Sequence, residues 1–334
     1  MAEKFLKNAW TMMGWAHELD QGPVARTIAD QHLVAFRTEA GELACLEDMC
    51  PHRFAPLSRG KVRGEGLQCG YHGLVFDASG RCTHNPLGGP IPAAARVRNF
   101  PVVAHNRILW VWLGDPAQAR TEAIPYMPCF DWPGMRFVFG YTHNPAHYET
   151  ITDNLLDLTH AMFLHPGFGG EAYVPSFRMD IQGHTVTSLY DYTGVDNSDF
   201  YRSLGASYTG PTDQWDDMRW DPPCTMYLES GITGHQRPRS EGITLPAVHI
   251  LAPETAQSTH YWWASGVALD SPCSDEALRA VLSQAFDVED KPMIQAVNER
   301  MQGRSFWDMK PVLLSTDGAA VRARRILKSL IDSE

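Results

Sequence analysis

The strongest constraint in this 334-residue chain is a pair of mixed turns, Cys50-Pro51-His52 and, after sixteen intervening residues, Cys69-Gly70-Tyr71-His72. Each puts a thiol and an imidazole on one tight turn, so the two turns can face each other across a single inorganic centre. Gly60, Gly64, Gly66, Gly70 and Gly73 disfavour a helix between them, because glycine loses the most backbone freedom there. A Cys2His2 zinc site is the first alternative. Zinc fingers, however, keep Cys with Cys and His with His, separated by a helix. Mixed turns suit a [2Fe–2S] cluster with thiolates on one iron and two imidazoles on the other. That ligation raises the reduction potential and serves one-electron relay.

The surrounding pattern is β-rich. Residues 5–115 read as short apolar and β-branched runs broken by Gly and Asp, such as Leu33–Phe36, Glu42–Leu46 and Ile108–Leu113. Gly114-Asp115-Pro116 closes this all-β domain, and a polar, Pro-containing linker runs to about Pro133. The expected division is 1–118 and 119–334. In the second part a helix over Tyr148–Phe163 ends at His165-Pro166-Gly167, and residues 170–268 alternate like a twisted antiparallel sheet. Two more helices are expected. Ser274–Val288 carries Leu278, Val281, Leu282, Ala285 and Phe286 at helical spacing, and Asp317–Ile331 carries Leu327, Leu330 and Ile331. The fold class is α+β, an all-β domain followed by an antiparallel sheet with long helices packed on it.

Composition removes several functions. Lys and Arg total 28 against 39 Asp and Glu, a net charge of −11 that repels a phosphate backbone, so no nucleic-acid partner is expected. No stretch approaches the ~20 apolar residues of a membrane span. The start Met1-Ala2-Glu3-Lys4-Phe5 lacks the features of a secretion signal. Seven cysteines, an odd number thinly spread, argue for a reducing cytoplasm. Cys45, Cys82, Cys129, Cys224 and Cys273 have no paired spacing and read as buried thiols.

Electrons relayed by a cluster need a destination. On one continuous helix Asn154, Asp157 and His160 fall at i, i+3 and i+6, roughly on one face, and His165 follows just past the helix end. Two imidazoles and one carboxylate make a facial triad that leaves positions open on Fe(II). The carboxylate must come from elsewhere, with Glu289-Asp290 the obvious source and Asp287 a further competitor. Helix-end histidines are common, so His160 and His165 carry weight through the upstream motif. His143 and His147 are separated by Pro145 and read as structural.

With these motifs the chain resembles the Rieske-type non-haem iron oxygenases. The signature Cys-Pro-His-Arg-x-Ala-Pro-Leu reads as Cys50 to Leu57, and Cys-x-Tyr-His-Gly as Cys69 to Gly73. Ala55 and Tyr71 stand where respiratory Rieske proteins carry an extra cysteine pair. Asp-x-x-His-x-x-x-x-His spans Asp157 to His165. The resemblance implies an N-terminal Rieske domain and a C-terminal helix-grip catalytic domain. It further implies one [2Fe–2S] cluster on Cys50, His52, Cys69 and His72, and one Fe(2+) on His160, His165 and Asp290. Asp157 would bond His160 in its own chain and His72 of a neighbouring chain, in a head-to-tail homotrimer. Asn154 would stand near the iron. Pro292 and Val297 depart from the family pattern after Asp290.

The resemblance covers nearly the whole chain, including Asp317–Val321 and Arg324-Arg325. It is closest to the branch of vanillate O-demethylase, dicamba O-demethylase and toluenesulfonate methyl-monooxygenase. Members hydroxylate a methyl or methoxy carbon on an aromatic acid, using O2 and electrons from NADH through a separate flavin and iron–sulfur reductase, directly or through a ferredoxin. No GxGxxG loop occurs in this chain, in keeping with a separate reductase. The first reading is therefore a monooxygenase that demethylates or hydroxylates a methyl group on a small aromatic compound. Ring cis-dihydroxylation is the alternative, and a Rieske electron carrier with a ligand-binding domain is the reading from another class. Expected pocket residues are Phe163, Leu164, Ile232, His249, Trp263, Leu282 and Phe286. His249 reads equally as a carboxylate anchor or as a satisfied strand residue. The segment Gly234–Gly242 reads as a mobile loop over the entrance.

Overall fold

The computed structural model describes residues 4–168, 170 and 173–334, which form two compact units, one through Ile124 (with Glu334) and one from Pro125 to Ser333. The first unit is built from three small antiparallel sheets. One joins Trp10–Trp15, Ile108–Trp112 and Val102–His105; a second joins Val24–Ile28, Gln31–Arg37, Leu43–Glu47 and Asn99–Phe100. The third, Lys61–Arg63, Gly66–Gln68, Val75–Asp77 and Cys82–His84, carries the second mixed turn between its middle strands. Phe36, Leu46, Leu57, Leu67 and Phe76 pack one core, and Cys50 and Cys69 sit in it.

The second unit is a seven-stranded antiparallel sheet. Its strands are β1 (Met135–Asn144), β2 (Ser176–Gln182), β3 (Thr185–Val195), β4 (Thr212–Asp221), β5 (Thr225–Gly234), β6 (Ile243–Thr255) and β7 (Ser258–Ala268), in the spatial order 1-7-6-5-4-3-2. Strand β1 falls between the expected linker and the first helix, where no element is expected although Met135, Phe137, Phe139 and Tyr141 alternate along it, and it is held by ten-residue pairing with β7. Trp215, Trp220, Trp262, Trp263 and Tyr190 are fully buried in this unit. Among the described residues no helix is long and apolar enough to cross a membrane.

Two expected helices are interrupted where the chemistry lies. The helix expected over 148–163 breaks after α1 (Tyr148–Leu156), because Asp157 leaves helical geometry (φ −113°, ψ 89°). Its carboxylate then accepts from Thr159 N–H and caps the following turn, the job for which aspartate competes with a helix interior. The short α2 (Ala161–Leu164) follows, so Asn154, Asp157 and His160 do not share one helix face. A short five-residue helix α3 (Asp199–Ser203) lies farther along.

The helix expected over 274–288 is α4 (Asp275–Ser283), capped by Ser274 and buried through Leu278 and Leu282, with Val281 exposed. It widens into a π-helical turn over Gln284–Asp290 and runs on as α5 (Lys291–Met301), with Pro292 directly after the widened stretch. The last helix, α6 (Gly318–Asp332), buries Ala320, Ala323, Arg324 and Leu327. Arg324 ties α6 to α1 through Glu149 and Asp153, at 2.6 and 2.7 Å.

Candidate metal centres and substrate cavity

The two mixed turns of the first unit have the same backbone. Cys50 N–H donates to Ala55 C=O and Phe54 N–H to Cys50 C=O; likewise Cys69 N–H donates to Leu74 C=O and Gly73 N–H to Cys69 C=O. The fifth residue of each loop is left-handed, glycine in one (Gly73, φ +75°) and Phe54 (φ +58°) in the other, so Phe54 holds a conformation that side chains avoid. The loops bring like to like. Cys50 and Cys69 are buried side by side with their thiols in hydrogen-bond contact, and the His52 and His72 rings pack edge to face at 4.6 Å. Burial pushes the Cys50 thiol up to about 11, so thiolates at this spot need a cation to neutralise them. Two sulfurs below and two imidazoles at the tip is a donor set that fits a two-iron cluster of mixed ligation.

In the second unit His160, His165 and Asp290 converge, with one ligand atom from each lying within 4.8 Å of the others. Asp290 Oδ1 stands 3.4 Å from His160 Nε2 and 3.3 Å from His165 Nε2. The outer ring nitrogens fix the tautomers. His160 Nδ1 lies 2.7 Å from the Asp157 carbonyl and His165 Nδ1 lies 2.7 Å from Glu289 Oε2. Both partners only accept, so each Nδ1 carries its proton, which leaves each Nε2, directed at Asp290, as the atom that would ligate a cation there. Burial works to lower the His165 imidazole, but Asp290 and Glu289 on either side raise it on balance. Burial also works to raise the Asp290 carboxyl, yet the two facing imidazoles hold it well below the usual carboxylate range. Two imidazole nitrogens and a carboxylate oxygen converging on one point are a donor set that fits a cation between them.

The neighbours divide the remaining roles. Asn154 Nδ2 donates to Asp290 Oδ1 at 3.3 Å. Of the competing carboxylates, Glu289 is engaged on the far side of His165 and Asp287 accepts from Thr142 Oγ1 at 2.7 Å. The expected bond from the Asp157 carboxylate to His160 is replaced by its backbone carbonyl. The carboxylate itself accepts from Thr159 and from Thr316 Oγ1, because the break after Leu156 turns it toward α6.

Beneath these residues lies an apolar cavity of about 140 Å³. A space of about 150 Å³ holds benzene, so this one is of single-ring size. His249, Trp263, Leu282 and Phe286 line it, and so do Tyr192, Asp216, Ser230 and Ser265, which the sequence reading missed. The signal for Asp216 is a polar residue between Gln214 and Met218 on the covered face of a strand. Gly140 lets the Trp263 indole lie across β1, since a Cβ there would stand 2.0 Å from the ring. Three expected lining residues lie elsewhere. Phe163 points outward from α2 and is 69% exposed, Leu164 lies off the cavity on the same short helix, and Ile232 is packed in solid core one rank past Ser230. The segment Gly234–Gly242 is tied down: Asp213 binds His235 and Gln236, Glu241 binds Arg237, and Asp191 and Asp217 bind Arg239.

Paired thiols and imidazoles on one unit, and a His–His–carboxylate point over a ring-sized cavity on the other, define a two-centre iron oxygenase. Comparison with known proteins gives the same class. Residues 9–101 match the Rieske [2Fe-2S] domain family and residues 145–333 the vanillate O-demethylase oxygenase C-terminal domain family. The oxygenase component of dicamba O-demethylase from Stenotrophomonas maltophilia is 38% identical over 98% of both chains. The oxygenase component of chloroacetanilide N-alkylformylase from Rhizorhabdus wittichii is 33% identical over 99% of this chain and 97% of its own. Dicamba monooxygenase bound to dicamba superposes with a TM-score of 0.92 at 36% identity over 99% of both chains.

The chain thus belongs to the Rieske non-haem iron oxygenases, in the branch of the dicamba and vanillate O-demethylases and toluenesulfonate monooxygenase. It is the oxygenase component of a Rieske monooxygenase system, with a [2Fe–2S] domain and a non-haem iron domain, and it works with a separate reductase.

Proposed function

We propose that this chain removes a methyl group from a methoxy or N-methyl substituent of a small aromatic compound, releasing it as formaldehyde. The convergence of His160, His165 and Asp290 over a cavity of single-ring size carries this reading. Cys50, Cys69, His52 and His72 would hold the cluster, and His160, His165 and Asp290 the mononuclear iron. When bound, that iron supplies O2 activation with electrons passed on by the cluster. The balanced change is Ar–O–CH3 + O2 + 2e⁻ + 2H⁺ → Ar–O–CH2OH + H2O, and the hemiacetal then collapses to the phenol and formaldehyde.

The chain's own residues prepare the site. Glu289 and the Asp157 carbonyl hold the two Nδ1 protons, so both Nε2 atoms stay free to ligate. Asn154 keeps the Asp290 carboxylate turned toward them, and Trp263, Leu282 and Phe286 keep bulk water from the ring. Replacing Glu289 by Ala frees the His165 ring. The expected result is iron binding weakened about 10- to 100-fold, read by metal titration with the cluster spectrum unchanged.

Electrons would arrive from a flavin and iron–sulfur reductase fed by NADH, directly or through a ferredoxin, in the cytoplasm. A head-to-tail homotrimer would bring His72 of a neighbouring copy to Asp157. A groove in the second unit supports this, since it is lined by Asp157, His160 and the exposed Phe163, Met293 and Val297. Exposed Phe54 and Tyr71 at the cluster tip supply matching apolar surface.

The test of the reaction is formaldehyde release with NADH and a reductase, across methoxy- and N-methyl aromatics, with His160→Ala as control. Formaldehyde from the wild type alone is expected. Hydroxymethyl or diol products without formaldehyde would overturn demethylation.

A further inference from the structure

The cavity contains a carboxylate for which the oxygenase chemistry has no use. Asp216 projects from the face of β4 that also presents Gln214 and Met218. It accepts from Ser230 Oγ, its register partner on β5, at 2.5 Å, and from the Tyr192 hydroxyl. Burial raises this carboxyl on balance, the two hydroxyl donors work against that by favouring the ionised form, and they leave part of its acceptor capacity open.

No Lys or Arg is among the described residues lining the cavity. Arg239 stands on the opposite face of the sheet, stacked over Trp215 and bonded at 2.7 Å to both Asp191 and Asp217. Of the other polar residues lining the cavity, His249 is the one whose imidazole nitrogen is left without a partner among the described residues. Burial pushes its imidazole down to about 4, so the ring is neutral. Its Nδ1 bonds the Tyr261 hydroxyl at 2.7 Å, and its buried Nε2 has no hydrogen-bond partner among the described residues.

An anionic substrate would therefore meet the Asp216 carboxylate on the wall of an apolar space, with no Lys or Arg among the described lining residues to pair with it and positive charge only at the iron that His160, His165 and Asp290 would hold for O2, a combination that disfavours it. An N–H or O–H on the ring would instead fill the open capacity of Asp216. We propose that Asp216 sets the substrate class: the cavity takes an uncharged single-ring aromatic that directs an N–H or O–H donor at Asp216, and it rejects aromatic carboxylates and sulfonates. This rests on the cavity being the site of the demethylation proposed above.

The test is calorimetric binding of matched ring pairs to the full-length holoprotein, 4-methoxybenzamide against 4-methoxybenzoate and 4-methoxybenzenesulfonamide against 4-methoxybenzenesulfonate. In the wild type each neutral partner is expected to bind at least ~10-fold more tightly than its anion. In Asp216→Asn that ratio should shrink to about threefold or less. The wild-type ratio stands even if the variant folds poorly, and the visible cluster spectrum reports whether it folds. Anions binding as tightly as the amides, a ratio unchanged in Asp216→Asn, or no binding by any of the four would overturn the assignment. Formaldehyde measured on the same pairs separates the two readings. Tight amide binding without formaldehyde removes demethylation and keeps the charge selection. Formaldehyde made more efficiently from the anions removes the selection and keeps demethylation.

Discussion

Asp290→Ala is expected to leave the [2Fe–2S] cluster intact while the purified protein loses its mononuclear iron, and substrate turnover falls by ~10³-fold or more. The expectation comes from what each carboxylate near the two imidazoles is already doing. Asp290 Oδ1 is the oxygen that faces both Nε2 atoms, at 3.4 and 3.3 Å. Glu289 is bound to the outer nitrogen of His165, and Asp287 to Thr142. Without Asp290, two neutral imidazoles remain, with no anion to balance a dication in a buried site. Iron analysis, with the cluster's visible absorption as internal reference, should show three irons per chain dropping to two. Asp287→Ala should keep all three. Retention of the third iron in Asp290→Ala would remove this carboxylate from the centre.

Arg324→Leu should destabilise the catalytic unit by about 3–5 kcal/mol, because it leaves two carboxylates facing each other without their cation. Arg324 is 7% exposed, donates to Asp153 through two nitrogens and reaches Glu149 at 2.6 Å. For a unit of this size that loss lowers Tm by roughly 10 °C. The effect has a pH signature. Burial raises the Asp153 carboxyl to about 6 even with Arg324 pulling it down, and removing the arginine moves it higher. A carboxyl whose folded value exceeds its unfolded value, about 4, costs stability as pH rises through that interval. The variant should therefore lie closest to the wild type near pH 5 and fall furthest behind near pH 8, as read from Tm against pH. A gap that widens on acidification would show that the pair is not the cause. Since α1 also carries Asn154 and leads into His160, iron loss should accompany the melting of this helix.

The chemistry of the first unit was legible in the sequence because it is local. Each mixed turn is one short loop with its own hydrogen bonds and its own left-handed residue, so the order of Cys, His and Gly carries the geometry. His160 and His165 were legible for the same reason, being five residues apart across one short helix. The spacing also named Asp290 among its neighbours, but spacing could not choose between them. Asp287, Glu289 and Asp290 differ in direction only because the helix widens by a π turn there, and that widening depends on packing against strands more than a hundred residues away.

The same limit explains the errors. A continuous helix through Asp157 was the natural reading of an apolar period. The tertiary structure offered Asp157 the N–H of Thr159 and the hydroxyl of Thr316, and those partners outbid the helix. Phe163 and Ile232 are apolar residues near the right place in sequence, and only the direction of a side chain decides whether it faces a cavity, solvent or core.

By itself, then, the sequence determined that this chain has a β domain with two Cys/His loops, a sheet-and-helix domain with a histidine pair, and a net negative charge, since each follows from contacts between near neighbours or from counting. Only the tertiary structure decided which carboxylate meets the histidines, which atom of Asp157 holds His160, and that the cavity presents Asp216 and no cation. Those properties are distances between residues far apart in the chain, set by strand register and helix packing.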